Sequence, residues 1–159
     1  MVKEIYYIRH GESIFNANPD IDDTCGDSLT EKGKLECEEL AKKLAHVKFD
    51  HVIVSPLLRA LQTLKLSKVP HEKAIIINEC REYKQNKCDF LSDEAIIYET
   101  ENDIMERITK FKSLLEKYDG RIAVFTHADF IFYATAEKID DEYFGTWLNN
   151  AEFLISYFM

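Results

Sequence analysis

The sequence is poor in the residues that break or staple a chain. Three prolines and five glycines among 159 residues leave no low-complexity linker, so residues 1–159 read as one domain. Four cysteines, Cys25, Cys37, Cys80 and Cys88, form no CxxC pair and match no Cys/His spacing of a zinc site. No apolar run approaches the ~20 residues of a membrane span. The opening MVKEIYYIRHGES lacks the apolar stretch and small-residue cleavage site of a signal peptide, so reduced thiols in a cytoplasmic protein are expected. Cations are outnumbered, 20 Lys and Arg against 29 Asp and Glu, for a net charge of −9. Nucleic acid and anionic membrane both require clustered basic residues, so neither is expected as a partner. At first sight the same balance argues against a small anionic substrate. No metal is expected either. Asp20, Asp22, Thr24 and Glu31 follow calcium-loop spacing, but Cys25 stands where such a loop needs glycine, and no helix precedes it.

What is present is alternation. Short β-rich runs at 5–8, 51–54, 73–77 and 122–125, with a last one at 153–158, suit strands buried on both faces. Helical patterns fill the gaps. Cys37, Leu40, Ala41, Leu44 and Ala45 share one helical face, with Thr30 as N-cap and Glu31 in the first turn. Ile104, Ile108, Phe111, Leu115 and Tyr118 form a second stripe, opened by a Thr100–Asp103 capping box and closed by Gly120. Ser55-Pro56 reads as the N-cap and first position of a third helix. A fourth is expected after His127, through Ala134 and Ala136. This order predicts an α/β three-layer sandwich, a mostly parallel central sheet with helices on both faces. Ligands bind such folds outside the carboxyl ends of the strands. Arg9, His10, Arg59, His127 and one of Glu79 or Glu82 are thereby expected near one edge.

Each residue is ordinary alone. Arg59, in the first turn of its helix, opposes the helix dipole and makes more sense with a phosphate or carboxylate between it and the helix end. His10 follows a buried strand beside Arg9, whose planar fork suits phosphate oxygens, and a neutral imidazole can attack phosphorus. His127 repeats that placement and, as a cation, could stabilise equatorial phosphoryl oxygens. Two histidines and two arginines at the strand ends of one sheet are far rarer by chance than any one of them.

These segments resemble a known family. Arg9-His10-Gly11-Glu12-Ser13 resembles the RHGE[ST] signature of the histidine phosphatase superfamily, the phosphoglycerate mutase-like proteins. Asp27-Ser28-Leu29-Thr30-Glu31-Lys32-Gly33 is similar to its D-x-LT-x-x-G segment, and residues 55–63 (SPLLRALQT) to its SPLxRAxQT segment. Val124-Phe125-Thr126-His127 is similar to the second-histidine motif, with Ala128 where glycine usually follows; Asn149-Asn150-Ala151-Glu152 is similar to its C-terminal segment. The resemblance implies that His10 becomes phosphohistidine and that Arg9, Arg59, His127 and Asn16 complete a phosphate pocket. It also implies a glutamate that protonates the leaving oxygen. Arg81-Glu82-Tyr83 is similar to the family's LRE segment and favours Glu82, while Ile77-Asn78-Glu79 is similar to the mutase branch's LNE and favours Glu79.

The expected activity is therefore metal- and cofactor-independent hydrolysis of a small phosphorylated metabolite, with a phosphohistidine protein as a second possible substrate. A mutase is the rival enzyme. Mutases of the family carry long insertions that close over the site, whereas about 45 residues separate Arg59 from Ile104 here. A catalytically silent phosphate binder is the rival outside enzymes, and the filled histidine and arginine positions argue against it. Specificity is expected from residues 13–27 and 80–99, where Arg81, Lys84 and Lys87 are either solvated loop cations or attract a further negative group.

Overall fold

The computed structural model describes residues 3–20 and 24–158. Asp22 of the calcium-like spacing lies outside the described residues. The strands are β1 (Lys3–Arg9), β2 (His51–Val54), β3 (Ile75–Ile76), β4 (Arg121–Thr126), β5 (Glu137–Ile139), β6 (Glu142–Phe144) and β7 (Phe153–Phe158). The helices are α1 (Ile14–Ala17), α2 (Glu31–Leu44), α3 (Leu58–Ser67), α4 (Glu101–Leu115) and α5 (Ala128–Ala134). Five strands form one sheet in the order β3-β2-β4-β1-β7, parallel except for β7.

Alternation along each strand sends neighbouring side chains to opposite faces. Ile5, Tyr7, Ile53, Ile122 and Val124 join Ile104, Ile108 and Phe111 of α4 and Phe130 and Ile131 of α5. Tyr6, Ile8, Val52, Val54, Ala123 and Phe125 join Leu40 and Leu44 of α2 and Ala60 and Leu64 of α3. The unbroken apolar runs of β1, β2 and β4 thus supply two cores at once. Register brings their ends level: Arg9 pairs with Thr126, while Ile8 and Val54 both pair with Phe125. The residues just beyond each of these strands therefore meet at one edge.

Local chemistry sets several boundaries differently from the sequence pattern. Helix α3 starts at Leu58 with no side-chain cap of its own. Ser55 is not its N-cap, because the Asp27 carboxylate takes that place from another segment, accepting from Leu58 N at 2.8 Å. The Ser55 hydroxyl instead accepts from Leu57 N at 3.2 Å. The Thr30 cap and the Thr100–Asp103 capping box both form. Helix α4 stops at Leu115, short of Gly120, whose φ of +85° belongs to the turn into β4. Helix α5 stops at Ala134, so Ala136 lies beyond it, and the β5–β6 hairpin follows. Its turn residues Asp140 and Asp141 have φ of 52° and 68°, as a two-residue hairpin of this hand requires.

Phe111 is fully buried, with its ring edge-to-face on Phe130 at 5.3 Å. Phe111→Ala is expected to lower unfolding free energy by about 3–5 kcal/mol in urea titration, the range for emptying an aromatic core position.

Candidate active site

A cavity of about 220 Å³ opens at the carboxyl edge of the sheet, and Arg9, His10, Asn16, Arg59 and Glu82 all line it. Backbone packing brings these groups together. A Cβ on Gly11 would lie 2.5 Å from Gly33 O, and one on Gly33 would collide with Glu12 O, so only glycine lets the loop after β1 meet the first turn of α2. Gly11 N then donates to Thr63 Oγ1 at 3.0 Å, joining the same loop to α3.

The His10 ring is held at both nitrogens. Nδ1 donates to Gly11 O at 2.6 Å, which leaves Nε2 without a proton, and Arg59 Nε donates to Nε2 at 3.3 Å. Burial, then the positive charge of Arg59, push the His10 pKa well below its ordinary value, so the imidazole is neutral.

Arg59 is heavily bonded. It donates to Asp27 Oδ1 at 2.5 Å, to Cys88 O at 3.0 Å and to Asp89 Oδ1 at 2.9 Å. Burial opposes its charge, but Asp27 and Asp89 outweigh burial and hold its pKa above the ordinary arginine value. The anion that sequence reasoning places between Arg59 and the helix end is here a carboxylate of the chain itself. Asp89 is fixed in turn by Gln85 N and Asn86 N, which donate to its Oδ2 at 3.1 and 2.8 Å.

Glu82 accepts from Tyr83 N at 2.8 Å and Phe130 N at 2.9 Å on Oε1, and from Asp129 N at 3.2 Å on Oε2. Burial, reinforced by the charges of Asp129 and Asp89, outweighs those donors and raises its pKa to about 8. Arg107 of α4 clamps the preceding turn, donating to Glu79 O, Arg81 O and Glu82 O at 2.9, 2.6 and 2.9 Å while pairing with Glu99. Glu79 does not line the cavity.

His127 stands behind His10, with ring centroids 5.1 Å apart, and is not among the cavity-lining residues. Its Nε2 meets Ser55 Oγ at 2.8 Å. Burial, then Arg59 and His10, lower its pKa well below normal, so the expected cation is a neutral ring in the unliganded protein. Ser55 Oγ accepts from Leu57 N and can either accept from or donate to His127 Nε2, so the contact fits both ring tautomers. Among the described residues Nδ1 has no partner, nor does Arg9 Nε, although Arg9 Nη1 donates to Leu148 O at 2.8 Å. Asn16 Oδ1 accepts from Ser13 N and Asn150 Nδ2 at 3.1 and 3.2 Å, which presents the Asn16 amide at the cavity.

Arg81, Lys84 and Lys87 do not line the cavity; Arg81 is buried on Glu94 at 2.6 Å, and Lys84 pairs with the same carboxylate at 3.2 Å. Sequence reasoning missed Asp27 and Asp89 as partners of Arg59, although both lie in segments it singled out. It also missed Arg107, hidden beside the α4 stripe, and Asp129 and Trp147, which line the cavity. Among the described residues, no group of three His, Cys, Asp or Glu side chains could hold a metal, and no helix is long and apolar enough to cross a membrane.

Residues 5–97, more than half of the chain, match the model of the histidine phosphatase superfamily (branch 1), and the chain belongs to that superfamily. It is 32% identical over 91 residues to 2,3-bisphosphoglycerate-dependent phosphoglycerate mutase 1 of Arabidopsis thaliana, an alignment covering 55% of this chain and 27% of that protein. It is 29% identical over 125 residues to the GpmB phosphoglycerate mutase homologue of Erwinia tasmaniensis, covering 71% of this chain and 57% of that one. The chain thus spans between about a quarter and somewhat over half the length of these relatives. Among solved structures, an Escherichia coli candidate alpha-ribazole-5'-P phosphatase superposes with a TM-score of 0.68 at 18% identity, covering 94% of this chain and 98% of that one. Phosphoglycerate mutase from Thermus thermophilus superposes with a TM-score of 0.60 at 23% identity, covering 83% and 82%. The fold is theirs: a phosphoglycerate mutase-like α/β sandwich.

Three buried groups with displaced pKa values give a pH signature. The folded chain holds the Glu82 proton up to pH about 8, whereas an unfolded glutamate loses it near 4.5, so Glu82 adds stability that fades as pH rises between those values. His10 and His127 refuse protons that unfolded histidines accept near 6.5, so stability falls as pH drops below that point. The unfolding free energy from urea titration is expected to peak near pH 6.5 and to decline above it by on the order of 1 kcal/mol per pH unit. Glu82→Gln should flatten the decline between pH 6.5 and 8.

Proposed function

We propose that the protein is a metal-independent phosphomonoester hydrolase that works through a phosphohistidine on His10. The observation that carries this reading is the protonation pattern of the cavity, a neutral imidazole with Nε2 bare beside a carboxyl group that holds its proton to about pH 8. Two buried nitrogens without partners among the described residues, Arg9 Nε and His127 Nδ1, belong to residues next to His10 in sequence and in space. An unsatisfied buried donor costs about 1–3 kcal/mol, and phosphoryl oxygens would satisfy Arg9 Nε, and His127 Nδ1 in the tautomer that carries its proton there.

The reaction has two steps. His10 Nε2 attacks phosphorus as the phosphorus–oxygen bond to the alcohol breaks, and the Glu82 carboxyl passes its proton to the departing oxygen. The Arg59 Nε–H that meets Nε2 turns to a phosphoryl oxygen, with Arg9, Asn16 and His127 supplying further donors. Water then attacks the phosphohistidine, Glu82 takes its proton, the phosphorus–nitrogen bond breaks, and neutral His10 is restored. The substrate is a small phosphorylated metabolite.

Transfer back to a second oxygen of the same molecule is the second reading, favoured by the mutase names of the two relatives. The short span between α3 and α4 favours water as the acceptor. With 4-nitrophenyl phosphate and EDTA, steady hydrolysis is expected, with kcat/KM level on the acid side and falling as pH rises through about 8. His10→Ala should abolish turnover and acid-labile labelling of the protein, and Glu82→Gln should slow it by about 10²–10⁴. Turnover that survives His10→Ala would end this reading.

A further inference from the structure

We infer that the cavity selects phosphomonoesters whose alcohol half carries no second negative charge, and that the Asp129 carboxylate enforces this selection. The inference rests on the phosphomonoesterase reading and names the substrate class of that same site.

Placement comes first. The leaving oxygen must approach Glu82 to be protonated. Glu82 Oε2 accepts from Asp129 N at 3.2 Å, so the atoms attached to that oxygen lie beside residue 129. Asp129 lines the cavity, and among the described residues no donor reaches its carboxylate. It is thus a half-buried carboxylate that burial and Asp89 hold above its ordinary pKa, and the cation it faces is Arg9, the same one the phosphoryl group draws on.

The supply of cations points the same way. Among the described residues only two arginines or lysines line the cavity, Arg9 and Arg59. Arg59 is committed to Asp27, Asp89 and His10. Arg9 bonds Leu148 O and lies over the Trp147 ring at 5.3 Å. One phosphoryl group uses what these two can still offer. A second phosphate or a carboxylate on the substrate would find no third cation in that lining and would face Asp129 directly. The loop cations that could have served, Arg81 and Lys84, are held by Glu94 away from the cavity. The lining also holds the Asp89 carboxylate, a second acid, and the uncharged rings of Phe15 and Trp147. Like charges left in contact at a poorly solvated site are a common means of rejecting wrong partners.

The test uses three phenylphosphonates that differ only at the para position, bearing aminomethyl, hydrogen or carboxylate. Phosphonates resist hydrolysis, so their binding is measured by calorimetry whether or not the protein turns anything over. The carboxylate compound is expected to bind about tenfold more weakly than the unsubstituted one, and the aminomethyl compound at least as tightly as the latter. Asp129→Asn should bring the three affinities within about twofold, and Asp129→Glu should restore the order. The matching phenyl phosphates are assayed alongside, the ratio of parent to Asp129→Asn kcat/KM removing the intrinsic reactivity of each ester. Equal binding of all three phosphonates by the parent protein, an unchanged order in Asp129→Asn, or no binding at all would overturn the inference. Ordered binding without any hydrolysis would overturn the phosphatase reading and leave the charge selection standing.

Discussion

A guanidinium taken out of water is stable only where carboxylates and carbonyls replace its hydration, and Arg59 is such a group. Its partners come from separate stretches of chain: His10 after β1, Asp27 before α2, and Cys88 and Asp89 in the loop between β3 and α4. The same Asp27 carboxylate satisfies the open amides of α3, so one side chain caps a helix and balances a buried charge. Removing either acid would leave the buried Arg59 with a single carboxylate partner beside His10. The shape of the site and the charge balance of Arg59 are therefore one arrangement.

Burial also sorts the protons. It disfavours the charged form of every group it touches, lowering the histidines and raising Glu82. The proposed roles need an unprotonated nitrogen and a protonated carboxyl group, and a single environment of low polarity favours both at once.

Much of this was legible in the sequence. Strand-end placement of Arg9, His10 and His127 follows from apolar runs that stop abruptly, and the parallel order follows from helices between them. The stretch around 79–82 was ambiguous, because adjacent segments each carry a plausible glutamate. Only the wrapping of that turn around Arg107, a contact between segments far apart in sequence, puts Glu82 in the cavity. Ser55-Pro56 misled because a capping carboxylate can arrive from any segment, and sequence spacing registers only local candidates. The β5–β6 hairpin went unread although Asp140-Asp141 is a turn signal, since its strands are three residues each. The net charge of −9 proved uninformative about the site, which is governed by a few groups within a few ångströms.

The strand that leads into His10 has its partners at the far end of the chain. β1 is hydrogen-bonded to β4 and β7, and both of these strands lie more than a hundred residues downstream. A ribosome delivers the chain from its N-terminus, and β1 emerges long before either neighbour exists. The strand that leads into His10 must wait unpaired through most of synthesis, with its apolar Ile5-Tyr6-Tyr7-Ile8 run open to mispairing until β4 and β7 arrive.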